Sequence, residues 1–263
     1  MTTTPHDLAA VGLPELAPLL VGHPHPLLFA TVSGAHLYGF PSRDSDVDLR
    51  GVHLLPVREL LGLSRPAETH TRTWDHDGLE ADLVTHDLAK FARLLMRPNG
   101  YVLEQLLSPL VVRTTPAHAA LRELAPGLLT VRHARHYRGF AGTQLRLFEK
   151  SGQLKPLLYT FRVLLTGIHL MRAHEVVAHL PTLAEHVPEA PGHLPDLIAA
   201  KAAAEHGQLT QADGAPGTGR LKADVEALHA ALDDGERAST LPHEPRGAER
   251  MESLVVDTRL AAG

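Results

Sequence analysis

The apolar pattern changes period once along the chain, and that change restricts the fold more than any other feature of its 263 residues. Strand-length runs occur only in the first part. Leu27-Leu28-Phe29-Ala30-Thr31-Val32 stops at Ser33-Gly34, Val47 to Leu55 alternates until Pro56, and Leu79 to Val84 alternates after Trp74-Asp75-His76-Asp77-Gly78, which reads as a hairpin or loop tip. From Asp87 the period becomes helical, with Leu88, Phe91, Leu94 and Leu95 recurring until Arg97-Pro98-Asn99-Gly100; Val102 to Leu107 predicts a second short helix. Beyond Pro116 helices are expected near 117–125, 131–151, 155–177, 194–206, 218–234 and 246–260, with Gly127, Gly152, Pro181, Pro188, Pro191 and the stretch 214–219 in the gaps. The reading is an α/β unit followed by an all-helical part: a Pro-rich lead-in over 1–26, a first domain over 27–115 and a helical domain over 116–263. Segments 207–219 and 233–247 are the expected mobile loops.

Composition removes several function classes. Forty-four per cent hydrophobic and 21% charged residues suffice for a packed core. No run approaches a membrane span, and the start MTTTPHDLAAVG lacks a signal peptide's basic-then-apolar layout, so a cytoplasmic protein is expected. With no cysteine there is no disulfide, thiolate zinc site or Cys nucleophile. A formal charge of −5 argues against a broad grip on nucleic acid but permits a local basic groove. Most of the 19 histidines are scattered singly and read as surface or compositional residues.

Chemistry concentrates between Thr31 and Gly51. On a strand, Asp46 and Asp48 are two apart and project from one face, where they can converge on a hard cation, while Val47 points to the buried side. Oxygen ligands of this kind suit Mg²⁺, or Mn²⁺, together with a nucleotide phosphate. Ser33-Gly34 closes the preceding strand; Gly34 leaves the backbone open to a phosphate, and Ala35 to Tyr38 could start a short helix favouring an anion. A carboxylate on a neighbouring strand would complete a two-metal arrangement; Asp82 is favoured, with Glu80 on the same face as the alternative.

Strand, Ser-Gly, short helix, Asp-Val-Asp and a later strand aspartate resemble the DNA polymerase beta-like nucleotidyltransferases. Ser-Gly-Ala-His-Leu-Tyr-Gly, Asp-Ser-Asp-Val-Asp-Leu-Arg-Gly, Asp-Leu-Ala-Lys-Phe and Leu-Glu-Gln-Leu-Leu-Ser-Pro are similar to the branch that includes the RNA-ligase-associated proteins of RNA repair operons. The resemblance spans about 27–170. It implies a mixed-sheet α/β (α+β) catalytic domain and a helical domain closing over the nucleotide. It also implies Asp46 and Asp48 as metal ligands, Asp82 as third ligand and base, Ser33 and Gly34 at the phosphates, and NMP transfer from an NTP, ATP first, with loss of pyrophosphate. Arg50, in Asp-Leu-Arg-Gly, matches this branch and could hold a phosphate or acceptor. Where the branch often has Asn-Pro, this chain has Arg97-Pro98-Asn99.

Lys155, Tyr159 and Arg162 fall at i, i+4 and i+7 on one helical face and are similar to the helix start of the family's helical domains, offering charge to a triphosphate and a ring to a base. The plain alternative is an exposed charged face. His86-Asp87 could suggest a phosphohydrolase pair but reads better as a helix cap. Arg132, His133, Arg135, His136 and Arg138, with Arg146, form the densest basic cluster and are either a nucleic-acid footprint or a solvated face. The acceptor stays open: an RNA end or tRNA, a small molecule or a protein. A regulatory, antitoxin-like module that binds nucleotide and a protein partner without turnover is the second reading.

Overall fold

The computed structural model describes residues 8–76, 78–203, 209 and 216–262, with the side chain of His76 excepted. The chain forms two compact units: one from residues up to Gly34, Asp46–Leu128 and Glu244–Gly263, the other from Ala35–Ser45 and Leu129–His243.

The first unit is built on a mixed five-stranded sheet of order β3-β4-β2-β1-β5, where β1 is Leu27–Val32, β2 Val47–His53, β3 Thr69–His76, β4 Leu79–Asp87 and β5 Val111–Arg113. β2 runs parallel to β4, and every other neighbouring pair is antiparallel. Alternation along β2 and β4 buries Val47, Leu49, Ala81 and Leu83 on one face, at 1% exposure or less, and puts Asp48, Arg50 and Asp82 on the other. Helices α3 (Leu88–Leu95), α4 (Gly100–Leu107) and α5 (Pro116–Leu128) pack against the sheet, Phe29 meeting Phe91 edge-on and stacking on His118. A short α2 (Val57–Leu60) follows β2.

The lead-in forms two 3-10 turns, Leu8–Val11 and Ala17–Leu20. Histidines then tie it to the sheet: Thr85 Oγ1 is hydrogen-bonded to both His23 Nε2 (3.0 Å) and His53 Nδ1 (2.9 Å). His53 is wholly buried and its pKa is lowered to about 4, chiefly by that burial and by neighbouring His23 and His25.

Asp87 shows why the unit extends past residue 115. Its Oδ2 caps α3 by accepting from the Ala89 amide at 2.9 Å, and its Oδ1 accepts from the Leu55 amide at 3.2 Å. Arg259, on α11 (Ala248–Ala262), donates to the same carboxylate at 2.6 Å, and the Arg246 amide donates to Gly127 O at 2.7 Å. Thus α5 and α11, assigned from sequence to the helical part, belong to the sheet-bearing unit.

In the second unit α7 (Leu154–Ala173) is buried along nearly its whole length, surrounded by α6 (His133–Ser151), α8 (Leu180–His186), α9 (Leu194–Ala202) and α10 (Thr218–Ala238). Three expectations differ. Pro181, read as a breaker, sits in the first turn of α8, where its missing N–H costs no helical hydrogen bond. Residues 233–238, read as loop, are the end of α10, whereas most of 207–215 lies outside the described residues. The helix expected to reach 177 stops at His174, whose left-handed φ of 59° caps α7. Among the described residues no helix is long and apolar enough to cross a membrane.

Candidate functional site

The site lies where the end of β1 meets the beginnings of β2 and β4. Parallel register sets Asp48 opposite Asp82, so the two carboxylates share a face. Arg50, two residues along β2 from Asp48, reaches back between them. Its Nη2 donates to Asp48 Oδ1 at 2.6 Å and Asp82 Oδ2 at 3.1 Å. Nη1 donates to the carbonyls of Leu49 and Asp82, both at 2.9 Å, and Nε to the Tyr101 hydroxyl at 3.0 Å. A guanidinium has five N–H donors, so every one of Arg50 is met by protein. Asp82 Oδ1 accepts from Thr73 at 3.2 Å.

Asp46 lies one residue before β2 and is solvent-exposed, facing Glu80 rather than Asp48's partners. A hydrogen bond with Asp46 and then its charge hold the Glu80 carboxyl above its ordinary pKa. The four carboxylates therefore stand as two pairs, Asp48 with Asp82 across Arg50, and Asp46 with Glu80. Among the described residues no three His, Asp or Glu side chains stand in a metal-holding arrangement. In chemistry the set still fits a hard divalent ion: all donors are carboxylate oxygens, and the Asp46–Glu80 pair brings like charges together, which a cation would relieve.

Gly34 opens α1 (Gly34–Tyr38) with φ 61°, and a Cβ there would fall 1.8 Å from Asp48 Oδ2. Glycine at this turn therefore lets the Asp48 carboxylate lie directly against the backbone. The Ser33 amide donates to Asp48 O at 2.8 Å, while Ser33 Oγ is buried without a hydrogen-bond partner among the described residues. Gly51, which closes the motif, is needed for backbone approach: a Cβ there would lie 2.4 Å from Phe29 O.

Lys155, Tyr159 and Arg162 belong to the second unit. They line one side of α7 as expected, but the face is not an open charged one: Arg162 is 2% exposed, with its guanidinium carbon 3.8 Å from the Tyr38 ring centroid and 5.7 Å from that of Tyr159. Tyr159 is half-buried between Tyr38, Phe40 and Phe140, and Lys155 is partly exposed at the start of the helix. The basic cluster on α6 divides. His133 is buried, with its pKa lowered to about 4 mainly by burial; Arg138 pairs with Asp233 at 2.6 Å and with Glu236; Arg132 and Arg135 are exposed. Asp87 is the cap anticipated from sequence, and Trp74 packs under Arg72 at 4.3 Å. Asp77 lies outside the described residues.

Sequence reading missed Tyr101 and Thr73. Neither falls in a motif, and both reach the site through tertiary packing alone.

Residues 10–257 match the family described as the RNA repair pathway DNA polymerase beta family. An uncharacterized protein of Methanocaldococcus jannaschii, MJ0002, is 31% identical over 154 residues, 56% of this chain and 61% of the relative, so the match spans under two thirds of that relative. Among solved structures, a nucleotidyltransferase-like protein from Exiguobacterium sibiricum is similar at 14% identity and a TM-score of 0.33, over 85% of this chain and 74% of that one.

Proposed function

The chain belongs to the RNA repair pathway DNA polymerase beta family, and on that premise we propose that it transfers an NMP group from an NTP, ATP foremost, to an acceptor hydroxyl, with an RNA end as the acceptor the family's description suggests. The observation that carries the proposal is the register pairing of Asp48 with Asp82 beside Gly34, a geometry that brings two carboxylates to the end of a Ser-Gly turn.

Asp46, Asp48 and Asp82 would hold Mg²⁺ or Mn²⁺, with Glu80 beside Asp46. Such an ion supplies charge neutralisation at the triphosphate and at the attacking oxygen. The residues do the rest. The acceptor oxygen forms a bond to the α-phosphorus as the bond to pyrophosphate breaks, and the hydroxyl proton passes to a carboxylate, Asp82 or Glu80, whose pKa is raised by its hydrogen bond with Asp46 and by that residue's charge. Ser33 Oγ, buried and without a hydrogen-bond partner among the described residues, is the proposed donor to a phosphate oxygen once the turn opens.

The test is a transfer assay with each α-³²P-labelled NTP and a pool of RNA, DNA and protein acceptors, comparing the protein with Asp46→Ala/Asp48→Ala. Mg²⁺-dependent label in one acceptor, lost in the variant, is the expected result. Tight Mg²⁺-dependent NTP binding without transfer or pyrophosphate release would refute turnover and support the regulatory-module reading.

A further inference from the structure

One side of α6 combines charge, rings and small residues in a way that intramolecular packing does not require. On a 3.6-residue helix Arg135, Arg146 and Lys150 fall on one stripe, all exposed and with no acidic partner among the described residues; Arg132 precedes them at the N-cap. From Arg135 to Lys150 the stripe runs ~22 Å at ~1.5 Å per residue. No acidic residue occupies the first turn of α6, so two arginines stand at the positive end of the helix dipole, an arrangement that raises the local potential. The elements packed against α6 do little to cancel it. α7 contains no acidic residue, Asp233 and Glu236 of α10 are engaged by Arg138 on another side, and Glu149 is paired with Lys222 at 2.7 Å.

Between the cations lie Gly139 and Gly142. Among the described residues, a Cβ at Gly139 would meet nothing within 4 Å, and one at Gly142 only the end of Arg146 at 3.6 Å. Each glycine inside a helix costs roughly 0.5–1 kcal/mol relative to alanine, and here no neighbour among the described residues explains that cost. Beside the stripe, half-buried rings form a row: His136 is stacked on Phe140 at an interplanar angle of 19°, and Phe140 adjoins Tyr159 at 6.4 Å. Cations spaced along a helix serve phosphates, rings beside them serve bases, and missing side chains between them allow a backbone to approach closely. A lipid surface would call instead for a broad apolar face, and an acidic peptide has no bases for the rings.

We propose that this face of α6 binds a single-stranded polynucleotide, with phosphates along Arg135, Arg146 and Lys150 and bases against His136 and Phe140. The strand's role as acceptor rests on the transferase reading; its binding does not. Fluorescence anisotropy is therefore measured in EDTA without nucleotide, on labelled RNA and DNA single strands of about 12 nucleotides, within the usual site size, and on a duplex of equal length. Over about 50–200 mM salt, Arg135→Gln/Arg146→Gln/Lys150→Gln should flatten the slope of log affinity against log salt by about 2, from three lost contacts at ~0.7 each. The RNA and DNA arms tell which polymer is preferred. In Gly139→Ala/Gly142→Ala the expected signature is opposed: a higher Tm from better helix propensity, with weaker binding. Single strands that fail to bind the wild type, or a triple variant of native Tm with an unchanged slope, would overturn the assignment; a raised Tm with unaltered affinity would remove the glycines from it. Because binding is read in EDTA without nucleotide, a failed transfer assay and a failed binding assay remain separate results.

Discussion

Replacing Arg50 by methionine keeps most of the aliphatic stem and removes the charge that sits between Asp48 and Asp82. Two unlike charges about 4 Å apart at an effective dielectric of ~20 attract by ~4 kcal/mol, and Arg50 has two such partners. Most of that is offset. The guanidinium side chain is only 11% exposed and has given up its hydration, while the carboxylates are 29% and 32% exposed and partly screened. Losing the cation also leaves two backbone carbonyls and the Tyr101 hydroxyl without their Arg50 donors. The net destabilisation should be about 2 kcal/mol, below the ~3–5 kcal/mol for breaking a fully buried pair. For a chain of this length that corresponds to a fall in Tm of roughly 4–8 °C. Differential scanning fluorimetry with EDTA and then with saturating Mg²⁺ tests the cause. If the guanidinium stands in for a cation at Asp48 and Asp82, Mg²⁺ should raise the Tm of Arg50→Met more than that of wild type, because ligand binding to the folded state adds stability in proportion to occupancy. A variant within 1 °C of wild type, or one with the same Mg²⁺ increment, would refute the reasoning.

Two other perturbations probe the surroundings. Gly34→Ala forces a Cβ to within 1.8 Å of Asp48 Oδ2 at a left-handed φ of 61°, so it should cost about 1–3 kcal/mol in urea unfolding and abolish transfer by displacing Asp48; native stability with native rate would show that the turn yields easily. His53 and His133, both lowered to about 4, stay neutral in the fold while the unfolded chain takes up protons near 6.5. Since the unfolded state binds more protons between those values, their contribution is complete above pH 6.5 and is lost as pH falls toward 4. Urea midpoints at pH 7.5, 6 and 5 should therefore decline, and less steeply in His133→Gln; equal slopes for variant and wild type would count against burial as the cause.

What could be read from the sequence was what a local period encodes. Alternation over Val47 to Leu55 and Leu79 to Val84 gave two strands and put Asp46 on one face with Asp48, whereas Asp46 lies one residue before β2 and meets Glu80; the helical period gave α3, α6, α7 and α10 within a few residues. β3 was seen only at its tip because it is the polar edge strand, Thr69–His76, with one side of its ladder unpaired and little apolar signal. The assignment of α5 and α11 to the sheet depends on Asp87 meeting Arg259, a contact across 172 residues that no periodicity records.

The same limit explains the site. The Asp-Val-Asp-Leu-Arg-Gly segment announces carboxylates, a cation and a close backbone approach, and the structure contains each of them. It does not announce that β2 pairs with β4 in parallel, skipping β3, and that pairing decides which later carboxylate stands opposite Asp48. Once Asp82 is fixed there, Arg50 can satisfy two carboxylates and two carbonyls from a single position, with Tyr101 closing the fifth donor. A guanidinium so completely used by its own fold can take a phosphate only by releasing one of these partners. Arg50 is therefore read first as the residue that holds Asp48 and Asp82 side by side, and any contact to nucleotide must come after that bond is given up.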